Sequence, residues 1–274
     1  SGAGLAVQVR TRKGGEVENS TATAGDYALE ARGLSKSFGS FYAVKDVDLK
    51  VRRGTIHALI GPNGAGKTTC FNLLTKTLTP TAGQVIYEGR DITGLRTAQV
   101  AKLGLVRSFQ ISATFPHLTC LENVRVALQS NHGKSFRFWS PLSAIRSLDP
   151  RAVELLEQVG LADAAHLQAT ELSYGKKRAL EIATTLALDP KVMLLDEPTA
   201  GMGHEDLEPI TELIRQVSAG RTILIVEHNL SVVSSLCDRI TVLQHGELLT
   251  EGTYDEVSNN EDVITAYMGG VDAL

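Results

Sequence analysis

One octapeptide, Gly61-Pro62-Asn63-Gly64-Ala65-Gly66-Lys67-Thr68, limits what this chain can fold into more than any other part of it. The string fits G-x-x-x-x-G-K-[ST]. In that pattern glycines let successive backbone N–H groups wrap a phosphate chain, the lysine reaches the β- and γ-phosphates and the hydroxyl ligates magnesium. Such a loop needs a strand before it and a helix after it. Thr55 to Ile60 is a short apolar run suited to a buried strand, and Lys67 to Thr75 starts like a helix, so a bound phosphate would meet backbone donors at the helix N-terminus. A plain glycine turn would need neither flank. Gly61, Pro62, Asn63, Gly64, Ala65, Gly66, Lys67, Thr68 and Thr69 are therefore the expected phosphate-binding residues.

A second apolar stretch, Val192 to Leu195, delivers Asp196 and Glu197 at its carboxyl end, where ligands collect in open α/β sheets. Acidic pairs at strand ends are often solvated caps, but the phosphate loop upstream favours chemistry. Asp196 is expected to hold Mg²⁺ together with Thr68, and Glu197 to orient and deprotonate an attacking water. The expected activity is ATP hydrolysis, with ATP and Mg²⁺ as the groups bound.

The rest of the chain narrows the setting. Its 274 residues suffice for one large α/β unit with appendages, and a net charge of -4 argues against a dedicated nucleic-acid surface. No apolar run approaches the roughly 18 to 20 residues that cross a bilayer. The three cysteines, Cys70, Cys120 and Cys237, are scattered without metal-ligand spacing, and the seven histidines show no paired motif. A reducing cytosol is the simplest home, and magnesium brought by the nucleotide the one metal expected. Residues 1–26 are rich in Gly, Ala, Thr and Ser, without apolar periodicity or the apolar stretch of a secretory signal. They read as a flexible tail that begins with an added Ser1-Gly2.

Between Tyr27 and Gly54 polar and apolar residues alternate between turns, as in Val47-Asp48-Leu49-Lys50-Val51, which predicts antiparallel strands. Buried-strand candidates follow at 55–60, 104–109, 191–195 and 222–226, with helical stretches at 67–75, 176–188 and 204–218. That alternation predicts a mostly parallel sheet covered on both faces. Thr119 and Glu122 make a capping box ahead of Val124, Val126 and Leu128. Asp149-Pro150 opens another helix carrying Val153, Leu155, Leu156 and Val159. Residues 115–170 thus read as a helical insertion. A further capping box, Thr253 with Glu256, precedes Val263, Ile264, Tyr267 and Met268, whose spacing predicts one apolar helical face.

With Leu172-Ser173-Tyr174-Gly175-Lys176 standing some twenty residues before Asp196-Glu197, the chain resembles the ATP-binding cassette family from about Tyr27 to Gly252. The resemblance implies a P-loop α/β fold with a mostly parallel core sheet, an antiparallel β subdomain and a helical insertion subdomain. The implied organisation is a tail (1–26), a nucleotide-binding domain (27–252) and a C-terminal helical extension (253–274). It implies that two cassettes sandwich two ATP molecules head to tail, with Ser173 and Gly175 touching the γ-phosphate held by the opposite subunit; a plain helix cap is the other reading of those two residues. Gln110 matches the glutamine loop that touches magnesium and the attacking water. His228 matches the switch histidine that donates to the γ-phosphate. Lys67, Gln110, Glu197 and His228 are the implied catalytic set. Phe38 stands where an aromatic stacks on adenine, with Phe41 and Tyr42 nearby.

Three positions depart from the pattern. Tyr174 replaces the usual second signature glycine, Lys176 the usual glutamine, and Gly203 an aspartate that in many cassettes helps couple the two sites. Within the family, Leu105 to Gln110, Phe115 to Thr119, the Ala200-Gly201-Met202 loop and the segment Asp262 to Gly269 look like ATPases of branched-chain amino-acid importers. That implies two transmembrane permease partners, an extracytoplasmic solute-binding protein acting indirectly, no nucleic acid, and a place on the inner face of the cell membrane. The aromatic and cationic stretch 134–140 reads as a permease contact, as local packing or as a direct membrane-surface contact. A lipid or lipopolysaccharide exporter, a soluble non-transport cassette and a non-hydrolysing regulator are the alternative readings.

Overall fold

A computed structural model of the protein describes residues 25–108, 114–131 and 147–268. Gln110, the stretch 134–140, almost all of the expected tail and the last residues of the C-terminal extension lie outside the described residues. Strands β1 (Tyr27–Phe38) and β2 (Phe41–Arg52) pair antiparallel, as their alternation predicts. With β4 (Ala82–Tyr87) and β5 (Arg90–Asp91) they form a four-stranded sheet in the order β2-β1-β4-β5. The sequence reading assigned no strand to 82–91, which is short and opens on exposed residues.

The second sheet has six strands in the order β10-β9-β3-β8-β7-β6. Here β3 is Ile56–Ile60, β6 Leu105–Ser108, β7 Val192–Asp196, β8 Thr222–Val226, β9 Arg239–Gln244 and β10 Glu247–Gly252. The pairs β3–β8, β3–β9, β6–β7 and β7–β8 are parallel, and β10 closes one edge antiparallel to β9. The period of two sorts the side chains of this sheet into two cores. Ile56, Ala58, Ile60, Met193, Leu195, Ile223 and Ile225 face a helical layer. Leu59, Leu194, Leu224 and Val226 face helix α1 (Lys67–Leu74) and the antiparallel sheet. One face of the parallel sheet is thus covered by helices, and the other by α1 and a second sheet.

The helical layer contains α3 (Cys120–Asn131), α4 (Asp149–Gln158), α5 (Tyr174–Leu186) and α6 (His204–Val217). The short α2 (Thr97–Ala101) instead packs Val100 with the antiparallel sheet. Thr119 and Glu122 form the expected reciprocal cap on α3, with Thr119 N–H donating to Glu122 Oε2 at 2.8 Å and Glu122 N–H to Thr119 Oγ1 at 3.2 Å. Arg125 on α3 pairs with Asp149 at the start of α4 and ties the two helices together. Not every apolar residue expected on a buried helical face is buried: Val126 and Val153 are exposed, because at about 100° per residue each lies outside the arc that holds its helix's buried residues, Cys120, Leu121, Val124 and Leu128 for the one and Ala152, Leu155 and Leu156 for the other.

The C-terminal part forms α7 (Leu230–Leu236), α8 (Tyr254–Ser258) and α9 (Glu261–Met268), with the Thr253–Glu256 capping box in place. The single apolar face expected on α9 divides. Val263 and Ala266 are buried and Tyr267 packs with them, whereas Ile264 and Met268 are 44% and 66% exposed. Four residues at those spacings span too wide an arc for one helix to bury them all against the β10 side of the sheet.

His57 on β3 is fully buried, with its Nε2 2.7 Å from Thr241 Oγ1. That hydroxyl donates its hydrogen to Glu251, so Nε2 must be the protonated nitrogen of a neutral imidazole. Burial, with a smaller contribution from Arg239, lowers its pKa to about 4. The unfolded chain therefore binds the extra proton first as pH falls. The stabilisation is complete above the unfolded value near 6.5 and is lost progressively down to about 4. Between pH 7 and pH 5 this one group costs about 2 kcal/mol of stability. Urea unfolding at the two pH values should show His57→Gln with a smaller loss than the parent, and equal losses would disprove the assignment.

Candidate functional site

The octapeptide joins β3 to α1. Gly66 caps the helix with φ +95° and no side-chain cap, and no acidic residue stands in the first turn. The helix N-terminus is thus free of an internal anion and offers its N–H groups outward. A Cβ at Gly66 would lie 2.4 Å from the Ala43 carbonyl oxygen, and one at Gly61 2.2 Å from that of Leu243. Both glycines are therefore demanded by close backbone approach as well as by φ. Lys67 turns its Nζ back to donate to the carbonyls of Gly61 (2.6 Å) and Pro62 (3.0 Å). It is half-buried; burial lowers its pKa and Glu197 opposes that shift. The Tyr267 hydroxyl on α9 is buried beside the backbone of Gly61, its pKa raised chiefly by burial.

At the end of β7, Asp196 and Glu197 line one cavity of about 310 Å³ with Thr68, Arg178 and Ala200. Glu197 has φ +46°, a conformation costly for a side chain of that size and characteristic of functional turns. Its N–H donates to Val226 O on the neighbouring strand at 2.8 Å, which fixes the turn. The hydroxyl and carboxylates in this cavity are hard oxygen donors of the kind magnesium takes. Among the described residues no group of three or more His, Cys, Asp or Glu could hold a metal by itself. The donor set therefore fits magnesium bound by few protein oxygens plus phosphate.

Sequence reasoning missed two residues that hold this centre. Arg107 on β6 donates to Asp196 Oδ2 and to Asn72 Oδ1 (2.7 Å), with its guanidinium 4.8 Å from the centre of the Phe71 ring. Glu227, fully buried after β8, accepts from Thr199 N–H (3.0 Å) and Thr199 Oγ1 on one oxygen, and from the N–H groups of His228 (3.1 Å) and Asn229 (3.3 Å) on the other. An acidic residue ending the run Thr222 to Val226 was the available signal.

The other predicted residues that the structure describes do not line this cavity. His228 is exposed beside Glu227 and does not line the cavity. Ser173 N-caps α5 through a long 3.5 Å contact from Lys176 N–H, and neither it nor Gly175 lines the cavity of its own chain. Phe38, Phe41 and Tyr42 are all exposed at the β1–β2 hairpin, so none of the three rings is a core residue.

A strand, glycine loop and helix, with a carboxylate pair at the end of a parallel strand one place removed in the same sheet, define a phosphate-loop nucleoside triphosphatase. The family model described as ABC transporter matches residues 44–200, and the chain belongs to the ATP-binding cassette transporter family. It is a cassette ATPase that binds ATP. A second family model, described as branched-chain amino acid ATP-binding cassette transporter, matches residues 247–273. The high-affinity branched-chain amino acid transport ATP-binding protein LivG of Salmonella typhimurium is 41% identical over 250 residues, which cover 88% of this chain and 97% of that protein. Among solved structures, the ADP conformation of an ATP-binding cassette of an ABC transporter is 29% identical with a TM-score of 0.77, covering 89% of this chain and 99% of that one. A dimeric cassette in a post-hydrolysis state bound to ADP and Pi is 28% identical with a TM-score of 0.68, covering 82% and 98%. Among the described residues no helix is long and apolar enough to cross a membrane.

Proposed function

We propose that this chain is the ATP-hydrolysing subunit of an importer for branched-chain or related amino acids. Two cassettes sandwich two ATP molecules and drive two transmembrane permeases from the inner face of the cell membrane, and a solute-binding protein delivers the substrate outside. The observation that carries the ATPase reading is the single cavity shared by Thr68, Asp196 and Glu197, beside the lysine of the phosphate loop. The match of the C-terminal segment and the 41% identity to a LivG protein support the importer over an exporter or a soluble cassette.

In this reading the loop Gly61 to Thr69 binds the phosphates through its backbone N–H groups, which Pro62 lacks, and the Lys67 ammonium, and Phe38 or a neighbouring ring stacks on adenine. Glu197 orients a water and takes its proton as the oxygen bonds to the γ-phosphorus. The bond to the β–γ bridging oxygen breaks and ADP leaves with that electron pair. Thr68, Asp196 and Gln110 would hold magnesium, which when bound neutralises charge on the β- and γ-oxygens. His228 donates to the γ-phosphate, and Ser173 and Gly175 complete the site of the opposite cassette. Residues 27–252 form the nucleotide-binding domain with its insertion at about 115–170, and 253–274 the extension.

The test is gentle detergent extraction of the tagged chain from its native cells and identification of the membrane proteins that accompany it. Two multi-spanning permeases with an amino-acid receptor are the expected result. Lipid-transport subunits would move the reading to an exporter, and ribosomal or DNA-repair proteins alone would sink transport.

A further inference from the structure

Tyr174 occupies a position that in most cassettes carries no side chain, and here that side chain is fully engaged. Its hydroxyl donates to the carbonyl of Ala200 at 2.8 Å and accepts from Arg178 at 2.8 Å. The Arg178 guanidinium also lies 5.2 Å from the centre of the Tyr174 ring and is itself held by Glu181 at 2.9 Å. Ala200 in turn donates its N–H to the carbonyl of Glu197 at 3.0 Å. An unbroken chain of contacts therefore runs from the backbone of the expected base, through the loop that follows it, to the signature segment. A second strap runs beside it. Asp206 at the start of α6 donates its N–H to Gly203 and sets its carboxylate so close to Gly175 that a Cβ there would lie 2.6 Å from Asp206 Oδ1.

The ring of Tyr174 is 44% exposed, so core packing does not account for it. Its hydroxyl has one hydrogen, committed to Ala200, and a lone pair committed to Arg178. Gly203, one turn of chain further on, has no side chain with which the loop could report on its own site. We propose that Tyr174 is a positioning residue that latches the Ser173–Gly175 segment to the Ala200–Gly203 loop of the same chain. Rearrangement at Glu197 on ATP binding or hydrolysis in one site is thereby carried to the segment that completes the other. This rests on the two-cassette reading above. The latch takes over, from the signature side, the coupling that the aspartate absent at Gly203 provides elsewhere.

The experiment compares the full chain with Tyr174→Phe, which removes only the hydroxyl, and with Tyr174→Gly. ATPase rates are measured across ATP concentration and thermal unfolding is followed alongside. ATP-dependent dimerisation is measured by light scattering in the Glu197→Gln background. Both variants should keep the parent's melting temperature, and a KM for ATP within about twofold of the parent's, because the phosphate loop is untouched. Losing the hydroxyl's two hydrogen bonds, one to the Ala200 carbonyl and one from the Arg178 guanidinium, should lower kcat about 2- to 10-fold. The Hill coefficient for ATP should fall toward one as the two sites uncouple. Parental kcat and Hill coefficient in Tyr174→Phe would overturn the latch while leaving the ATPase intact. So would a rise of KM in step with the loss of rate, since Tyr174 would then act on nucleotide binding. A parent chain that neither hydrolyses ATP nor dimerises with it as Glu197→Gln would overturn the two-cassette reading, and the latch with it.

Discussion

Glu197→Gln should stop ATP hydrolysis while leaving ATP bound. The substitution keeps the shape and the φ of +46° that the turn imposes, but removes the group proposed to take the proton from the attacking water. Loss of a positioned general base lowers rates by about 10² to 10⁴. The phosphate contacts come from the loop and Lys67, which the change does not touch, so affinity should hold within a few-fold. One effect favours tighter binding. Glu197 acts on Lys67 electrostatically, and without its charge the ammonium is freer to serve the phosphates. Steady-state hydrolysis beside equilibrium binding of ATP separates the two quantities. Residual turnover above a tenth of the parent would remove Glu197 from the role of base.

Glu227→Gln should damage the fold and the site together, although Glu227 touches no expected ligand atom. All four of its contacts are donors from other groups, two on each carboxylate oxygen. An amide keeps one oxygen and turns an NH₂ toward the other pair. Whichever way it lies, two donors face a donor, fully buried at Thr199 and partly buried at His228 and Asn229, which costs about 2 to 4 kcal/mol. If the NH₂ faces His228 and Asn229, the proposed γ-phosphate donor His228 is misplaced; if it faces Thr199 the loop beyond Glu197 is. Urea unfolding should show the lost stability, and kcat should fall at unchanged KM. Thr199→Val, which removes only one of the four donors, should show a smaller version of both effects. A Glu227→Gln protein as stable as the parent would mean that these four contacts contribute little.

What could be read from the residues and what could not divide along physical lines. The phosphate loop, the carboxylate strand and β8 follow from short-range rules: glycine where backbone must approach, apolar runs where both faces are buried. The structure puts β8 at Thr222–Val226, where its run of apolar residues lies. Residues 82–91 were missed because β4 begins with three exposed residues and gains its order from pairing with β1, about fifty positions earlier. Arg107 and Glu227 were invisible for a related reason. An arginine within a strand and a glutamate at the end of one have no periodicity, and only the sheet order brings Arg107 to Asp196 and Glu227 to Thr199. On α9 the apolar spacing was legible, but which residues would be buried depended on a neighbouring surface that spacing does not specify.

The sheet order also bears on how the protein is made. Strand β3, which leads into the phosphate loop, lies between β8 and β9, so both of its hydrogen-bonding edges have partners only after residue 244 has been synthesised. At about 5 to 20 residues per second, a ribosome needs about 10 to 40 s to travel from the end of β3 to that point. Until β8 is made the strand has neither partner, and until β9 follows Ile56, Ala58, Leu59 and Ile60 lack the complete sheet that buries them. Contacts closed over such a span are also intrinsically slow to form. The nascent chain is thus without a formed phosphate site for most of its synthesis, and it passes through that interval carrying an unpaired or half-paired apolar strand, the condition in which misfolding and chaperone capture occur.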